Sequence, residues 1–139
     1  MANLPDKYIR KEIYDRLHNA VINGSTFPCY TSRVTSSTPD QYYLISTQLN
    51  NPEYNKCGNG WENSTEIQVI VRLHKNSGSK VLLDDATQEL LTELDDFSLP
   101  VSTGLKVNWV DLTVENEIVD EQASEIVYQK IVRMTIRIR

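Results

Sequence analysis

The residues with the clearest capacity for chemistry are three arginines near the carboxyl end of the chain. Arg133, Arg137 and Arg139 fall at odd positions of an alternating segment, so they share one face of a predicted strand. A guanidinium is planar and weakly hydrated and can hold a carboxylate at two points, which suits a protein interface. The row is therefore either the solvated face of an edge strand or a contact for an acidic surface on a neighbouring subunit.

An acidic segment just before this strand is the candidate partner of the arginine row. The seven residues 115–121, ENEIVDE, contain four carboxylates, which belong to Glu115, Glu117, Asp120 and Glu121. Low hydrophobicity and high charge favour a loop, so the segment is predicted to be a solvated turn at an edge of the fold. We expect it to meet the arginine row of an adjacent subunit.

A second candidate interface is a predicted loop of about fifteen residues, 49–63, which contains Tyr54 and Trp61. Loops of this length in compact domains are often functional, and exposed aromatic side chains can anchor a partner. The alternative is that Trp61 folds back over the sheet.

Familiar catalytic and cofactor-binding patterns are absent from the sequence. It contains neither GxxxxGK[ST] nor GxGxxG, so no phosphate-binding loop is predicted. His18 and His74 lack further ligands at the spacing of a zinc site, and Cys29 and Cys57 do not form a CxxC pair. The sequence predicts no catalytic residue, no metal site and no cofactor, and it predicts two free thiols in a reducing compartment.

Length and charge limit the class of protein further. The chain has 139 residues, which favours a single domain over 1–139, and its formal charge is −5 with a pI near 5.0. A dedicated nucleic-acid binder usually carries a basic surface, so this charge argues against one. No apolar run approaches the length of a membrane span, and the first residues do not resemble a secretory signal.

The stretch 64–95 organises the predicted fold. Its first part alternates between apolar and polar residues, which predicts a half-buried strand, and its last part has a period near 3.6, which predicts an amphipathic helix. The two apolar faces comprise Ile67, Val69, Val71 and Leu73 in the strand, and Leu82, Ala86, Leu90 and Leu94 in the helix. Each face needs a cover, so the two elements are expected to pack together.

The remaining elements follow from the same periodicities. A first helix is predicted over 5–22 with Asn23–Gly24 as its stop, and strands are predicted over 27–34, 41–48, 105–117 and 124–139. The apolar positions of 105–117 change parity at Trp109–Val110, which predicts a bulge. A final strand of sixteen residues would span about 50 Å, so it must bend or project from the domain.

The predicted fold is α+β: a mainly antiparallel sheet of about five strands with two helices on one face, in the order α-β-β-β-α-β-β. The core is expected to include Val69, Val71, Leu82, Ala86, Leu90, Val107, Met134 and Ile136.

This layout resembles the tail-completion or tail-terminator family of tailed bacteriophages. The resemblance rests on a leading helix with IRKEIYDRL, strands with YYLIST and TEIQVIVRLH, a helix with VLLDDATQELLTEL, and an alternating last strand rich in Arg and Ile. It covers nearly the whole chain.

The resemblance implies a structural role without catalysis. It implies a homo-oligomeric ring at the head–tail junction or tail end, acting as a tail terminator or as a neck or collar ring. Its neighbours would be portal, connector or tail proteins, and DNA would pass through the lumen without specific binding. The protein would belong to the virion neck or tail and lie in the host cytoplasm during assembly. The alternative is a small cytoplasmic enzyme or ligand-binding domain whose site lies near the loop 49–63.

Overall fold

The computed structural model describes residues 5–31, 40–55, 58–74 and 80–138, with the side chains of 53–59 outside this description. Two α-helices and seven β-strands occur in these residues. In chain order they are α1 (Asp6–Leu17), β1 (Ala20–Ile22), β2 (Ser25–Phe27), β3 (Cys29–Thr31), β4 (Gln41–Asn55), β5 (Gly58–His74), α2 (Val81–Leu94), β6 (Val107–Glu121) and β7 (Glu125–Ile138), with a 3₁₀ turn at Val101–Thr103 between α2 and β6.

Five strands form one sheet in the order β3-β4-β5-β7-β6, and β1 and β2 form a separate hairpin. The short β3 pairs with β4 in parallel, whereas the other neighbours in the large sheet are antiparallel. The predicted α+β class with a mainly antiparallel sheet of five strands is confirmed. The predicted element order lacked the β1–β2 hairpin.

Both helices pack on one face of this sheet, as predicted. Helix α1 buries Ile9, Ile13 and Leu17, which recur every fourth residue and so lie along one stripe. The buried cluster on this covered face includes Leu83, Ala86, Leu90 and Leu94 of α2, Tyr43 and Ile45 of β4, Ile67, Val69 and Val71 of β5, and Val132, Met134 and Ile136 of β7. Of the predicted core, Leu82 and Val107 are only partly buried, and the other six residues are buried.

The first helix is shorter than predicted. It ends at Leu17, because His18 has an extended backbone (ψ 128°) and Asn19 adopts a positive φ of 60°. The chain then enters β1. Asn23 and Gly24, with φ of 52° and 82°, form the turn of the β1–β2 hairpin rather than the end of a helix. An Asn-Gly pair supports such a turn because both residues tolerate a left-handed backbone.

The prediction of a loop over residues 49–63 is wrong. Residues 49–55 and 58–63 lie in β4 and β5, which pair from Gln41–Val71 to Asn55–Gly58 with one register shift between Ile45 and Gln48. Strand β5 is also paired with β7 from Trp61 to His74, so residues 61–63 of the segment have strand neighbours on both sides and its other described residues have one. The cross-strand hydrogen bonds to these neighbours outweigh the low strand propensity of its Asn, Gly and Pro residues.

The acidic turn predicted at 115–121 is also wrong, because these residues complete strand β6. Two register shifts interrupt β6, one between Val107 and Trp109 and the other between Val114 and Asn116. The first confirms the predicted bulge one residue earlier than expected. Strand β7 pairs with β5 and β6 along its length, so it is neither an edge strand nor a projection from the sheet.

Candidate functional site: the open face and outer edge of the sheet

The arginine row lies on the side of the sheet that carries neither described helix, which we call the open face. Register places Arg133 opposite Glu66 and Arg137 opposite Glu62, on the face opposite the buried side chains of the same strands. Arg139 is outside the described residues. Arg133 and Arg137 therefore belong to an interior strand, where Arg133 is half-buried and Arg137 is exposed on a face that neither described helix covers.

Arg133 is held by its own chain. Its Nε donates to Oε1 of Glu115 at 2.6 Å, one terminal nitrogen donates to Ser64 Oγ at 2.8 Å, and another lies 3.9 Å from Glu66. The hydrogen bond to Glu115 raises the pKa of Arg133. Glu115 is the extra residue at the second register shift of β6, and a bulge of this kind re-aims a side chain. The bulge thus places this carboxylate within reach of the guanidinium.

Arg137 lies farther along the same face. Its Nε is 3.6 Å from Oε2 of Glu62, and its guanidinium carbon is 5.1 Å from the ring centre of Trp109. Trp109 was predicted on the apolar side of its strand with Leu105 and Val107. The first register shift instead brings it to the open face, where it is 45% exposed.

A third arginine, Arg72 of β5, extends this pattern towards the other end of the sheet. Its Nε lies 3.5 Å from Oε2 of Glu125. We call the set of ion pairs on the open face the ion-pair ladder. It joins Arg72, Arg133 and Arg137 to Glu62, Glu66, Glu115 and Glu125. Three arginines face four glutamates, so the ladder has a formal charge of −1 rather than a surplus of positive charge.

The acidic residues predicted to meet the arginines are distributed along β6, the outermost strand. Glu115 binds Arg133, and Glu117 lies on the covered side, 3.5 Å from Lys80 Nζ. Asp120 accepts a hydrogen bond from the amide of Gln122, and Glu121 is exposed at the end of the strand. The structure thus brings one of the four carboxylates to the arginine row within the chain. Whether the row also binds a neighbouring subunit stays a prediction.

Of the two predicted aromatic anchors, Trp61 lies on the other face of the sheet from the ladder. Trp61 is half-buried at the start of the β5–β7 pairing, opposite Pro52 and Ile138, and its register places it on the covered face. Its indole N–H is buried without a hydrogen-bond partner in the described part of the chain. The side chain of Tyr54 lies outside the described residues. An enzyme or ligand site based on a loop here loses its premise, since residues 49–55 and 58–63 are paired strands.

A buried polar cluster was missed by the sequence reasoning. Asn63 and Thr65 are fully buried on the covered face, where Thr65 donates to Asn63 at 2.6 Å and Asn63 donates to Asn50 at 2.6 Å. Asn50 in turn donates to the carboxylate of Asp6, and Gln48 donates to the backbone oxygen of Asp6 at 3.3 Å. The cluster fixes the start of α1 over the β4–β5 hairpin. Its one sequence signal is the parity that Asn63 and Thr65 share with Ile67.

The described histidines and cysteine do not form a reactive pair. His18 Nδ1 accepts the backbone N–H of Cys29 at 3.2 Å, and the imidazole stacks on Tyr14. Burial raises the pKa of the Cys29 thiol to about 12, which leaves little thiolate at neutral pH. Cys57 lies outside the described residues. Within the described ranges no three His, Cys, Asp or Glu side chains are placed to hold a metal ion, and neither helix has the length and hydropathy to span a bilayer.

Comparison with known proteins gives a likeness in fold. No family model matches the chain, and no curated protein sequence matches it. Among solved structures, it is similar to a chain in a structure described as the virion of a native gene transfer agent particle. The TM-score is 0.56 at 12% sequence identity, and the likeness covers 98% of this chain and 99% of the other. At this identity the chain shares the fold of that virion component.

Proposed function

We propose that this protein is a structural component of the virion of a tailed phage or a phage-like particle. The observation that carries the proposal is the fold likeness to a chain of a gene transfer agent virion, because it extends over nearly the full length of both chains. The element order and the alternating, arginine-rich last strand, which resemble the tail-completion and tail-terminator family, favour the same class of protein.

Within the virion we assign the chain to a homo-oligomeric ring at the head–tail junction or tail end, as a tail terminator or a neck or collar ring. Portal, connector or tail proteins would lie on either side of it. A symmetric dimer through β6 would place acidic strands against each other, since β6 has five carboxylates and no lysine or arginine. A head-to-tail contact avoids this repulsion, and head-to-tail contacts generate rings when the rotation closes.

The net charge supports a lumen that passes DNA without holding it. Each subunit has a formal charge of −5, so a ring of these subunits would carry more carboxylates than cations that could neutralise phosphates. Lysine and arginine contacts to phosphate supply most of the non-specific affinity for DNA, so an acidic wall lets the polymer move.

The ion-pair ladder is our candidate for the contact between subunits. In the isolated chain the side chains of Arg133 and Arg137 are 34% and 53% exposed, so each pair should contribute less than about 1 kcal/mol to folding. Once a neighbouring subunit covers the open face, the same pairs are desolvated. Removing one member of a desolvated pair costs about 2–5 kcal/mol, because the other charge stays buried and unpaired.

The test is the double variant Arg133→Ala/Arg137→Ala. We expect thermal unfolding of the isolated subunit to change little, while ring formation, observed by negative-stain microscopy and analytical ultracentrifugation, is lost. The matched control is Lys7→Ala/Lys11→Ala, which removes two cations from the exposed side of α1 and should assemble normally.

Two results would contradict the proposal at different levels. A wild-type chain that stays monomeric at every concentration, alone and with neighbouring virion proteins, would exclude the ring. A double variant that assembles like the wild type at physiological salt would leave the ring intact and exclude the ladder as its contact. A ligand-binding or enzymatic role has no comparable support, because residues 49–55 and 58–63 form paired strands.

A further inference from the structure

The outer edge of β6 offers a binding surface that does not depend on ring closure. Strand β6 is last in the sheet order and pairs only with β7, so its other side meets no strand among the described residues. It is 15 residues long, and nearly all of them are exposed. An unpaired strand edge presents backbone N–H and C=O groups that can accept an additional strand.

The charge on this edge is incompletely balanced by the chain itself. Glu115 and Glu117 have Arg133 and Lys80 as partners. The other three carboxylates of the strand make no ion pair within the described ranges; they belong to Asp111, Asp120 and Glu121. The unbalanced negative charge lies on a strand without a single lysine or arginine, so the complementary segment is a positively charged one.

Apolar side chains alternate with these carboxylates. Val114, Ile118 and Val119 are 45%, 41% and 50% exposed, although each belongs to a paired strand. An additional strand would cover part of this area while its backbone completes the hydrogen bonds of the edge. The final run of β6, residues 116–121, pairs with β7 without a register shift and is exposed at every position, so it is the most accessible regular template.

The strands of this chain do not supply a suitable partner. Two β6 edges would bring ten carboxylates together with no cation on either strand. Strand β7 carries Lys130, Arg133 and Arg137, but it is already paired on both sides. Strand β3, at the opposite edge of the sheet, has only three residues. None of these described strands can therefore be the added strand, and another protein must supply it.

We propose that the edge of β6 at residues 116–121 binds an extended, lysine- or arginine-rich segment of another protein as an additional strand. Its backbone pairs with the edge, its cations face Asp120 and Glu121, and its apolar residues contact Ile118 and Val119.

The probe is a synthetic peptide, acetyl-KKVVKKVV-amide, titrated into the isotope-labelled full chain; each face of this peptide alternates lysine with valine, as Ile118 and Asp120 alternate on one face of β6 and Val119 and Glu121 on the other. We expect saturable binding that weakens with salt, together with slower hydrogen exchange of outward backbone amides in 116–121. A second peptide, acetyl-KKPVKKPV-amide, keeps the charge but loses strand hydrogen bonds, and acetyl-EEVVEEVV-amide reverses the charge. Both should bind at least tenfold more weakly or not at all.

The variant Asp120→Asn/Glu121→Gln should weaken binding of the first peptide by about fivefold, as expected for two partly exposed ion pairs. Its control is Glu89→Gln/Asp95→Asn, which removes the same charge from α2 and the residue that follows it, and should leave the affinity unchanged. The proposal is overturned if the proline peptide binds as tightly as the first, or if the two variants weaken binding equally, because either result shows charge attraction without strand addition.

Two other outcomes also overturn it. Absence of binding, with aggregation of the Asp120→Asn/Glu121→Gln variant, would mean that the carboxylates only keep sheet edges apart. Protection of 116–121 that rises with protein concentration in the absence of peptide would identify a second copy of this chain as the occupant.

Discussion

Strands β6 and β7 form one hairpin and have nearly equal lengths, yet β7 contributes to the buried core and β6 to the exposed surface. In β7, alternate residues from Ile126 to Ile138 are buried, with Lys130 as the exception on the covered face. In β6 no residue is buried, and its second half is exposed on both faces. The difference arises from position: β7 lies between two strands and beneath α2, whereas β6 has a neighbour on one side and extends beyond the cover of the helices.

This difference separates folding from interaction. Apolar side chains of β7 are removed from water in the single chain, so each contributes to stability there. Apolar and acidic side chains of β6 beyond Val114 remain in water, so their pattern adds little to folding. A partner could therefore bind these exposed side chains, and their charges also affect the solubility of the protein. The variants below test this separation.

The largest effect is expected for Met134→Ala in β7. Met134 is fully buried, so the loss of its side chain should reduce the free energy of unfolding by about 2–5 kcal/mol. The matched change in β6, Val119→Ala, should reduce it by less than about 0.5 kcal/mol because Val119 is 50% exposed. Urea titration of both variants measures the difference. Similar losses would show that β6 belongs to the folding core.

The cover over β7 is tested by Leu90→Ala in α2. Leu90 is fully buried in the cluster shared with β5 and β7, and we expect a loss of about 2–5 kcal/mol in a denaturant titration. The exposed helix position Gln88, changed to Ala, is the control and should be neutral within about 0.5 kcal/mol. A loss below about 1 kcal/mol for Leu90→Ala would mean that α2 does not pack on the sheet as described.

A smaller loss of stability is expected for a variant of the buried polar cluster on the covered face. Asn63→Ala leaves Asn50 and Thr65 without their shared partner in a buried site, which should cost about 1–3 kcal/mol. Asn51→Ala removes an exposed amide from the next position along β4 and should be nearly neutral. Thermal unfolding of the two variants gives the comparison. Equal stabilities would show that the polar cluster does not fasten α1 to the hairpin.

The smallest effect on stability is expected for a test of reactivity, which compares the buried thiol of Cys29 in β3 with a thiol placed on β6. In a Cys57→Ser background, Cys29 should resist alkylation at pH 8 until the protein is unfolded, because burial raises its pKa to about 12. A cysteine introduced by Val119→Cys in the same background should react at the rate of a free thiol.

The same thiol has a pH consequence of definite sign. The folded state holds the Cys29 proton above the ordinary cysteine pKa of 9.0, so the unfolded state loses its proton first as pH rises. The corresponding stability is fully present below about pH 9 and is lost as pH rises towards about 12. The variant Cys29→Ala lacks this thiol, so its alkaline unfolding should shift to higher pH than that of the wild type. The stability that the variant loses through the small cavity is measured at pH 7 and subtracted. Rapid labelling of Cys29 in the folded chain at pH 8 would contradict both expectations.

Several features of the fold were predictable from local patterns. The alternation of Ile67, Val69 and Val71 identified β5. The recurrence of an apolar residue at every fourth position, Ala86, Leu90 and Leu94, identified α2. These elements have a side chain period that depends on their own backbone geometry, so a window of the sequence is enough. The parity change near Trp109 likewise indicated a bulge before the register was known.

The candidate surface was predictable only in part. The arginine row was identified, because alternation in the last strand is regular. Its location on an interior strand and its pairing with Glu115 of the same chain were not, because the row was expected either at an edge or opposite another subunit. The acidic segment was taken for a turn on composition, although pairing with β7 extends it as a strand to Glu121.

By itself, therefore, the sequence determined the periodic elements, the absence of recognised catalytic motifs and the net acidic charge, since each depends on residue type or on near neighbours along the chain. The tertiary structure decided which polar segments become strands, because a residue such as Asn63 lies between β4 and β7, and β7 is distant in sequence. It also decided the order of strands in the sheet. That order leaves β6 at the outer edge and β7 inside, and the two strands differ in their exposure for this reason.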